Sequence, residues 1–260
     1  MSDKTKIEWA DATWNPVTGC SKISIGCEHC YAERMVKRFP KIYPNGFKPT
    51  LHENRLEEPL KWKKPRRIFV CSMGDLFHEN VHIEWVYKVF DVMKRCPQHT
   101  FLLLTKRPGR AKALTETMLH FYFPEEADAL KTHFSHVWFG VTIESRENLA
   151  RAEVALQTGF AHKFVSLEPL LSSMPIGKYL FPLAYRANFE WVIVGGETGP
   201  GARLMKYDWA RYVLDACRRY KIPFFFKKWG GKINLEYERI LDGQEWNEFP
   251  KEMKGGSDGL

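Results

Sequence analysis

Gly19-Cys20-Ser21-Lys22-Ile23-Ser24-Ile25-Gly26-Cys27-Glu28-His29-Cys30-Tyr31 places three cysteines within eleven residues and runs straight into a helical pattern. A thiolate is a soft ligand suited to zinc or an iron–sulfur cluster, and three of them leave one coordination position open for another molecule. A small zinc-stabilised loop, or three thiols adjacent by chance, are the plainer readings of the same spacing. Working outward, Trp9, Trp14, Pro16 and Val17 mark an extended approach, with Thr13 to Thr18 as a short first strand. On the other side Ala32, Met35, Val36 and Phe39 recur at helical spacing, so a first helix is expected from near Glu28.

That strand–loop–helix unit opens a longer alternation. Residues 40–64, with Pro44, Gly46, Pro49 and Pro59 among charges, read as an irregular connection. Apolar runs follow at Ile68–Met73, Thr100–Thr105, Val137–Thr142, Lys163–Leu167, Trp191–Val194 and Ile222–Phe226, separated by helical patterns. Helices are expected through Ile83–Met93, from Pro108 to Met118, from about Glu147 to Thr158, and from a cap at Asp208 to Cys217. Unbroken apolar strands alternating with helices imply parallel pairing buried on both faces. Six to seven such strands fit an α/β fold of the full or partial parallel β/α barrel type better than an open sheet. The expected barrel domain covers 1–229, with the cysteine loop at 20–30 and an insertion near 120–136. The remainder, 230–260, reads as a hairpin around Asp242-Gly243, with alternation at Ile233, Leu235 and Tyr237, and a disordered Gly255–Gly259 tail.

The 44% hydrophobic and 14% aromatic content of the 260 residues excludes wholesale disorder, and no apolar run is long enough to span a membrane. The polar stretch Met1–Lys6 lacks a signal-type apolar core, which gives a cytoplasmic expectation. Six cysteines without a secretion signal argue against a disulfide framework, and Cys71, Cys96 and Cys217 read as buried structural thiols. The formal charge of +8 favours an anionic partner, with DNA or RNA foremost.

Every strand ends in charge or thiol. After the cysteines come Asp75, then Lys106 and Arg107, Glu144, Glu168, Glu197, and finally Lys227 and Lys228. Active sites of parallel α/β folds lie at the carboxyl ends of the strands, so these acids and bases are expected to meet in one polar cavity. Singly, each carboxylate also reads as a helix cap and each base as a solvated side chain. Lys106, Glu168, Glu197 and Lys227 are the candidates for proton handling or for binding a zwitterion. The glycines of Gly195-Gly196-Glu197-Thr198-Gly199-Pro200-Gly201-Ala202-Arg203 allow close backbone approach to a ligand, with Arg203 as a candidate phosphate contact; a tight strand-to-helix connection is the plainer reading.

A three-cysteine loop after the first strand of a β/α barrel resembles the radical S-adenosylmethionine superfamily. The resemblance implies a [4Fe–4S] cluster on Cys20, Cys27 and Cys30. It implies S-adenosylmethionine on the fourth iron and reductive cleavage of the sulfonium to a 5′-deoxyadenosyl radical. It places Met73, Gly74 and Asp75 at the motif that holds the methionine amino group, Asp75 being the acceptor, and Glu144 where ribose or the methionine carboxylate is contacted. The spacing departs from the usual motif: six residues rather than three separate Cys20 from Cys27, while two separate Cys27 from Cys30 as usual. The segments Trp14–Cys20, Gly26–Ala32, Gly195–Arg203 and Pro223–Gly230 are also similar to a phage- and prophage-associated family named for its three-cysteine motif. The Cys-x-x-Cys-Tyr ending resembles that of spore photoproduct lyase.

The expected function is therefore a radical S-adenosylmethionine iron–sulfur enzyme acting on a nucleic acid or nucleotide, supplied by a reductant protein such as a flavodoxin or ferredoxin. A nucleic-acid-binding protein with a structural zinc or cluster in its cysteine loop is the alternative. A metal-dependent hydrolase using the rim carboxylates, with His78 and His82 nearby, is a third.

Overall fold

Runs such as Phe101-Leu102-Leu103-Leu104 have no polar side, so they form strands only where both faces are covered. In the computed structural model, which describes residues 5–126, 128–181, 187–231, 238–253 and 255, that is how they are used. The strands are β1 (Ala12–Trp14), β2 (Val17–Thr18), β3 (Thr50–Leu51), β4 (Arg67–Val70), β5 (Thr100–Thr105), β6 (Val137–Thr142), β7 (His162–Leu167), β8 (Trp191–Gly195), β9 (Phe224–Lys228), β10 (Ile240–Leu241) and β11 (Gln244–Glu245). The helices are α1 (Tyr31–Arg38), α2 (Glu53–Leu56), α3 (Ile83–Lys94), α4 (Pro108–Tyr122), α5 (Ala129–His133), α6 (Ala150–Leu156), α7 (Gly177–Leu180) and α8 (Tyr207–Tyr220). Seven parallel strands in the order β1-β4-β5-β6-β7-β8-β9 form one curled sheet, a partial β/α barrel with β1 and β9 as its edges.

Strand parity divides the core. Val70, Phe101, Leu103, Phe139, Val165, Val192 and Phe226 face the helices, whereas Phe69, Leu102, Trp138, Phe164, Trp191, Ile193 and Phe225 fill the concave side. Continuing the concave parity leads to Lys106, Glu144, Glu168, Glu197 and Lys227 beyond the apolar layer. Gly140 shares this parity, and a Cβ there would overlap the Phe164 ring.

Several local expectations change. Thr13–Thr18 is not one strand: the chain breaks at Asn15-Pro16, leaving β1 in the main sheet and β2 paired antiparallel with β3. The buried Asn15 side chain accepts from the Met73 backbone N–H at 2.9 Å and the Ser72 hydroxyl at 3.1 Å, tying this break to the loop after β4. The first helix begins at Tyr31 rather than near Glu28, because Ile25–Cys27 forms a separate 3₁₀ turn and Cys30 is extended at ψ 121°. Only Ala32 and Val36 of its apolar stripe are buried, against Met73; Met35 and Phe39 are exposed.

Residues 120–136, expected as an insertion between strands, lie between β5 and β6. Leu130 and Phe134 enter the main core, so α4 and α5 belong to the crossover from β5 to β6. The helix expected over Glu147–Thr158 is α6, preceded by a 3₁₀ turn at Arg146–Asn148, and α8 is capped at Lys206, with Asp208 in its first turn. The hairpin turns at Asp242 and Gly243, with φ of 54° and 77°. Ile233, Leu235, Tyr237 and residues 256–259 lie outside the described residues. Among the described residues no helix is long and apolar enough to cross a membrane.

Candidate functional site

The carboxyl ends of the strands enclose a cavity of about 410 Å³. Cys20, Cys27 and Cys30 all line it, together with Asp75, Lys106, Glu168, Glu197 and Lys227. The three thiols are half-buried and free of disulfides. Among the described residues no group of three His, Cys, Asp or Glu side chains is drawn around a single ion position.

Arg107 organises the first cysteine. Its Nη1 donates to Cys20 Sγ at 3.4 Å and to Asp75 Oδ2 at 3.2 Å, its Nη2 donates to the Ser21 carbonyl and hydroxyl, and its Nε donates to Glu79 at 2.8 Å. Burial opposes the Arg107 charge, but these anionic and polar partners outweigh it and raise its pKa. Burial chiefly, with Asp75 adding, pushes the Cys20 thiol up to about 11, so it stays protonated until a cation replaces its proton. His78 completes the frame: its Nδ1 accepts from the Asn80 backbone, leaving Nε2–H to donate to Ser21 Oγ at 2.8 Å. Burial and Arg107 lower the His78 pKa and favour this neutral tautomer. His82 instead caps α3, accepting from Glu84 N.

The Met73-Gly74-Asp75 motif is engaged with the protein itself. Met73 packs against Ala32 and Val36, and Gly74 bridges Gly19 so closely that a Cβ would lie 2.7 Å from the Gly19 carbonyl oxygen. Asp75 accepts from Phe77 N and Thr105 Oγ1 on one oxygen and from Lys106 N and Arg107 on the other. A ligand ammonium reaches this carboxylate only by displacing one of those donors.

Glu144 is placed elsewhere than the resemblance implies. It has no exposed surface and does not line the cavity; it lies beneath the cysteine loop, pairing with Arg151 at 2.8 Å and accepting from the Ser24 hydroxyl. A Cβ on Gly26 would overlap its side chain, so the loop rests directly on it. On the cavity wall Glu168 pairs with Lys227 at 3.0 Å. Burial works against the Lys227 charge, but Glu168 and then Glu8 overcome it and raise its pKa.

Arg203 faces protein groups rather than an open phosphate position. It grips Glu197 through two guanidinium bonds of 2.9 and 2.6 Å, and reaches Glu28 at 2.9 Å and the Ile25 carbonyl at 2.8 Å. Although burial would raise the Glu197 pKa, Arg203 holds it below the ordinary carboxylate value. The glycine-rich loop thereby clamps the cysteine loop. A Cβ at Gly199 would strike the Arg34 guanidinium, which donates to the Thr198 carbonyl, and Gly201 sits against His29.

Residues 4–250 match the family model described as "Protein of unknown function (DUF5131)". The chain belongs to this family. No curated protein matches. Among solved structures, the DUF5131 chain is similar to spore photoproduct lyase complexed with dinucleoside spore photoproduct. That match has a TM-score of 0.53 and 13% identity, and covers 87% of this chain and 78% of the other. A cysteine-to-alanine variant of that lyase with the same dinucleoside matches with a TM-score of 0.52 at 13% identity, over 87% and 78% of the two chains. At this identity the likeness is one of fold, the seven-stranded partial barrel.

Within the DUF5131 fold, residues from all seven strand ends line this cavity, though three of the acids, Asp75, Glu144 and Glu197, spend their charge on guanidinium groups that hold loops in place. Arg151, Ser21 and Ser24 belong to that scaffolding, and nothing in their sequence context marks them for it. The side chains left toward the cavity are the three thiols, Lys106 and the Glu168–Lys227 pair, joined by Glu8, Trp9 and Tyr31. Such a set can hold a soft metal group on one wall and protonate or orient a polar ligand from the other.

Proposed function

We propose that this protein is a radical S-adenosylmethionine iron–sulfur enzyme acting on a nucleic acid or nucleotide. The observation that carries the reading is that three free, half-buried thiols share one cavity with a wall of acids and bases. Three thiolates without a fourth suit a [4Fe–4S] cluster with one iron free for a cavity ligand. Cys20, Cys27 and Cys30 would hold it, and bound S-adenosylmethionine would be the source of one-electron cleavage chemistry there.

The chain's own contributions follow from its contacts. Arg107 supplies positive charge beside Cys20, favouring its thiolate once a metal is present. Tyr31, at the start of α1, donates to the Ser72 carbonyl and ties the helix to the loop after β4 beside the cavity. Lys227 keeps its proton on Nζ while paired with Glu168, so this wall presents a fixed donor and a fixed acceptor to a polar substrate. Lys106 lines the same space. An anionic, base-bearing substrate is supported by the +8 charge and by the dinucleoside with which the similar lyase is complexed.

The test is anaerobic reconstitution of the wild type beside Cys27→Ala. The expected wild type is brown, binds about four irons with matching sulfide, and cleaves S-adenosylmethionine on reduction, whereas the variant loses iron and cleavage together. A colourless protein with one zinc, no cleavage, and nucleic-acid affinity that falls steeply with salt would replace this reading with a binding protein.

A further inference from the structure

The residues before β1 do not trail away from the barrel. Ala10 N–H donates to the Ile7 carbonyl at 3.1 Å, and residues 6–9 turn into the concave side, where all four line the cavity. Trp9 is only 2% exposed and is wedged across the sheet, its ring centroid 4.6 Å from Phe69 on β4 and 6.3 Å from Trp191 on β8. Asp11 anchors the segment from behind through two bonds of 3.2 and 2.9 Å to the Arg67 guanidinium.

Two polar atoms on these cavity-lining residues, both buried, have no partner. The Trp9 indole Nε1–H, which can only donate, finds no acceptor, and the buried Oε2 of Glu8, which accepts when ionised, finds no donor. The other buried side-chain atoms left unpaired among the described residues, on His99, Arg110 and Arg239, do not belong to cavity-lining residues. Lys228 lies 3.8 Å from Glu8 Oε1, which balances charge without making a hydrogen bond. Buried polar groups are almost always satisfied, so a donor and an acceptor left open in one cavity wall describe what belongs against them.

We infer that Glu8 and Trp9 form the recognition edge for the planar heterocycle of the substrate, a nucleobase presenting an N–H beside a ring nitrogen or carbonyl acceptor. The Trp9 N–H takes the acceptor and Glu8 takes the N–H, while Phe69 and Leu104 give the ring an apolar floor. A carboxylate here repels phosphate, so the base enters first and its phosphates lie toward Lys106, away from Glu8. Assigning the ring to the substrate rests on the function proposed above.

The test is calorimetric titration of the full-length, as-purified protein without reductant. The probes are thymidine, deoxycytidine, deoxyadenosine and deoxyguanosine in turn, with 2-deoxyribose 5-phosphate and S-adenosylmethionine as separate arms. At least one nucleoside is expected to bind where the base-free sugar phosphate does not. Trp9→Phe should weaken it roughly three- to ten-fold and Glu8→Ala about ten-fold or more. Thermal melting establishes that each variant folds; Glu8 is the less buried of the two, so Glu8→Ala carries the test if Trp9→Phe does not fold. Unchanged nucleoside affinity in a folded variant, no nucleoside binding by the wild type, or weakening confined to S-adenosylmethionine would overturn the assignment. Base binding that depends on both residues in a chain devoid of iron would sink the proposed reaction and leave this edge standing.

Discussion

Glu144 carries a carboxylate at a position with no solvent contact, and its burial is tolerable only because Arg151 and Ser24 satisfy it. Removing it leaves a guanidinium of 13% exposure beneath the cysteine loop without its counter-charge, held by the Thr142 carbonyl. Glu144→Ala should therefore cost about 3 kcal/mol in urea unfolding. Glu144→Gln, which keeps the shape and an acceptor for Ser24, should cost less. Equal stability of Glu144→Ala and wild type would show that the pair does not brace the loop. The sequence marked Glu144 as functional on its position after β6 alone. Its partner could not be seen, because Arg151 looks like any solvated helical arginine until α6 is folded back over the strand end.

At the scale of elements, α8 ends in a left-handed residue. Lys221, at φ 56° and ψ 38°, donates to the Arg218 carbonyl while Ile222 N–H reaches Cys217, closing the helix as a Schellman turn. Glycine adopts this conformation without the Cβ conflict, so Lys221→Gly should stabilise the chain by about 1 kcal/mol, read as a rise in Tm of about 2–4 °C. No change or a loss would mean that Lys221 makes an offsetting contact. The strands themselves were legible because burial on both faces leaves unbroken apolar runs. For the same reason their two parities could not be told apart, and only the polar residues past each run revealed which parity faces the cavity. The break at Asn15-Pro16 was hidden for a different reason: β2 pairs with Thr50–Leu51, inside a stretch whose prolines suggest no strand. Arg203 likewise reads as a phosphate ligand in a glycine-rich loop until Glu197, Glu28 and Ile25 are seen to take four of its five N–H donors.

For the molecule as a whole, two buried charges shape stability against pH in opposite limbs. Arg203 depresses the Glu197 pKa from its ordinary value of 4.5, so this group adds stability above that value and loses it as pH falls below. On β7, burial lowers Lys163 from 10.5 to about 8 despite the pull of Glu190. Below pH 8 the folded state bears the whole cost of an enclosed ammonium; between 8 and 10.5 it sheds the proton before the unfolded chain does, and stability rises. Lys163→Met should flatten that alkaline rise and stabilise the protein at pH 7 by roughly 2–3 kcal/mol in denaturant titrations. An unaltered alkaline limb would remove Lys163 as its origin.

The clamp between Arg203 and Ile25 has a consequence in time. The two residues stand 178 positions apart, so a ribosome adding about 5–20 residues per second exposes the cysteines roughly ten to thirty seconds before their clamp exists. Until Arg203 arrives, the loop has its Arg107 and Glu144 contacts but lacks this clamp, and the thiols stand more open to oxidation and to soft metals. Under the proposed function, cluster assembly thus belongs to the stage after Arg203 has been made.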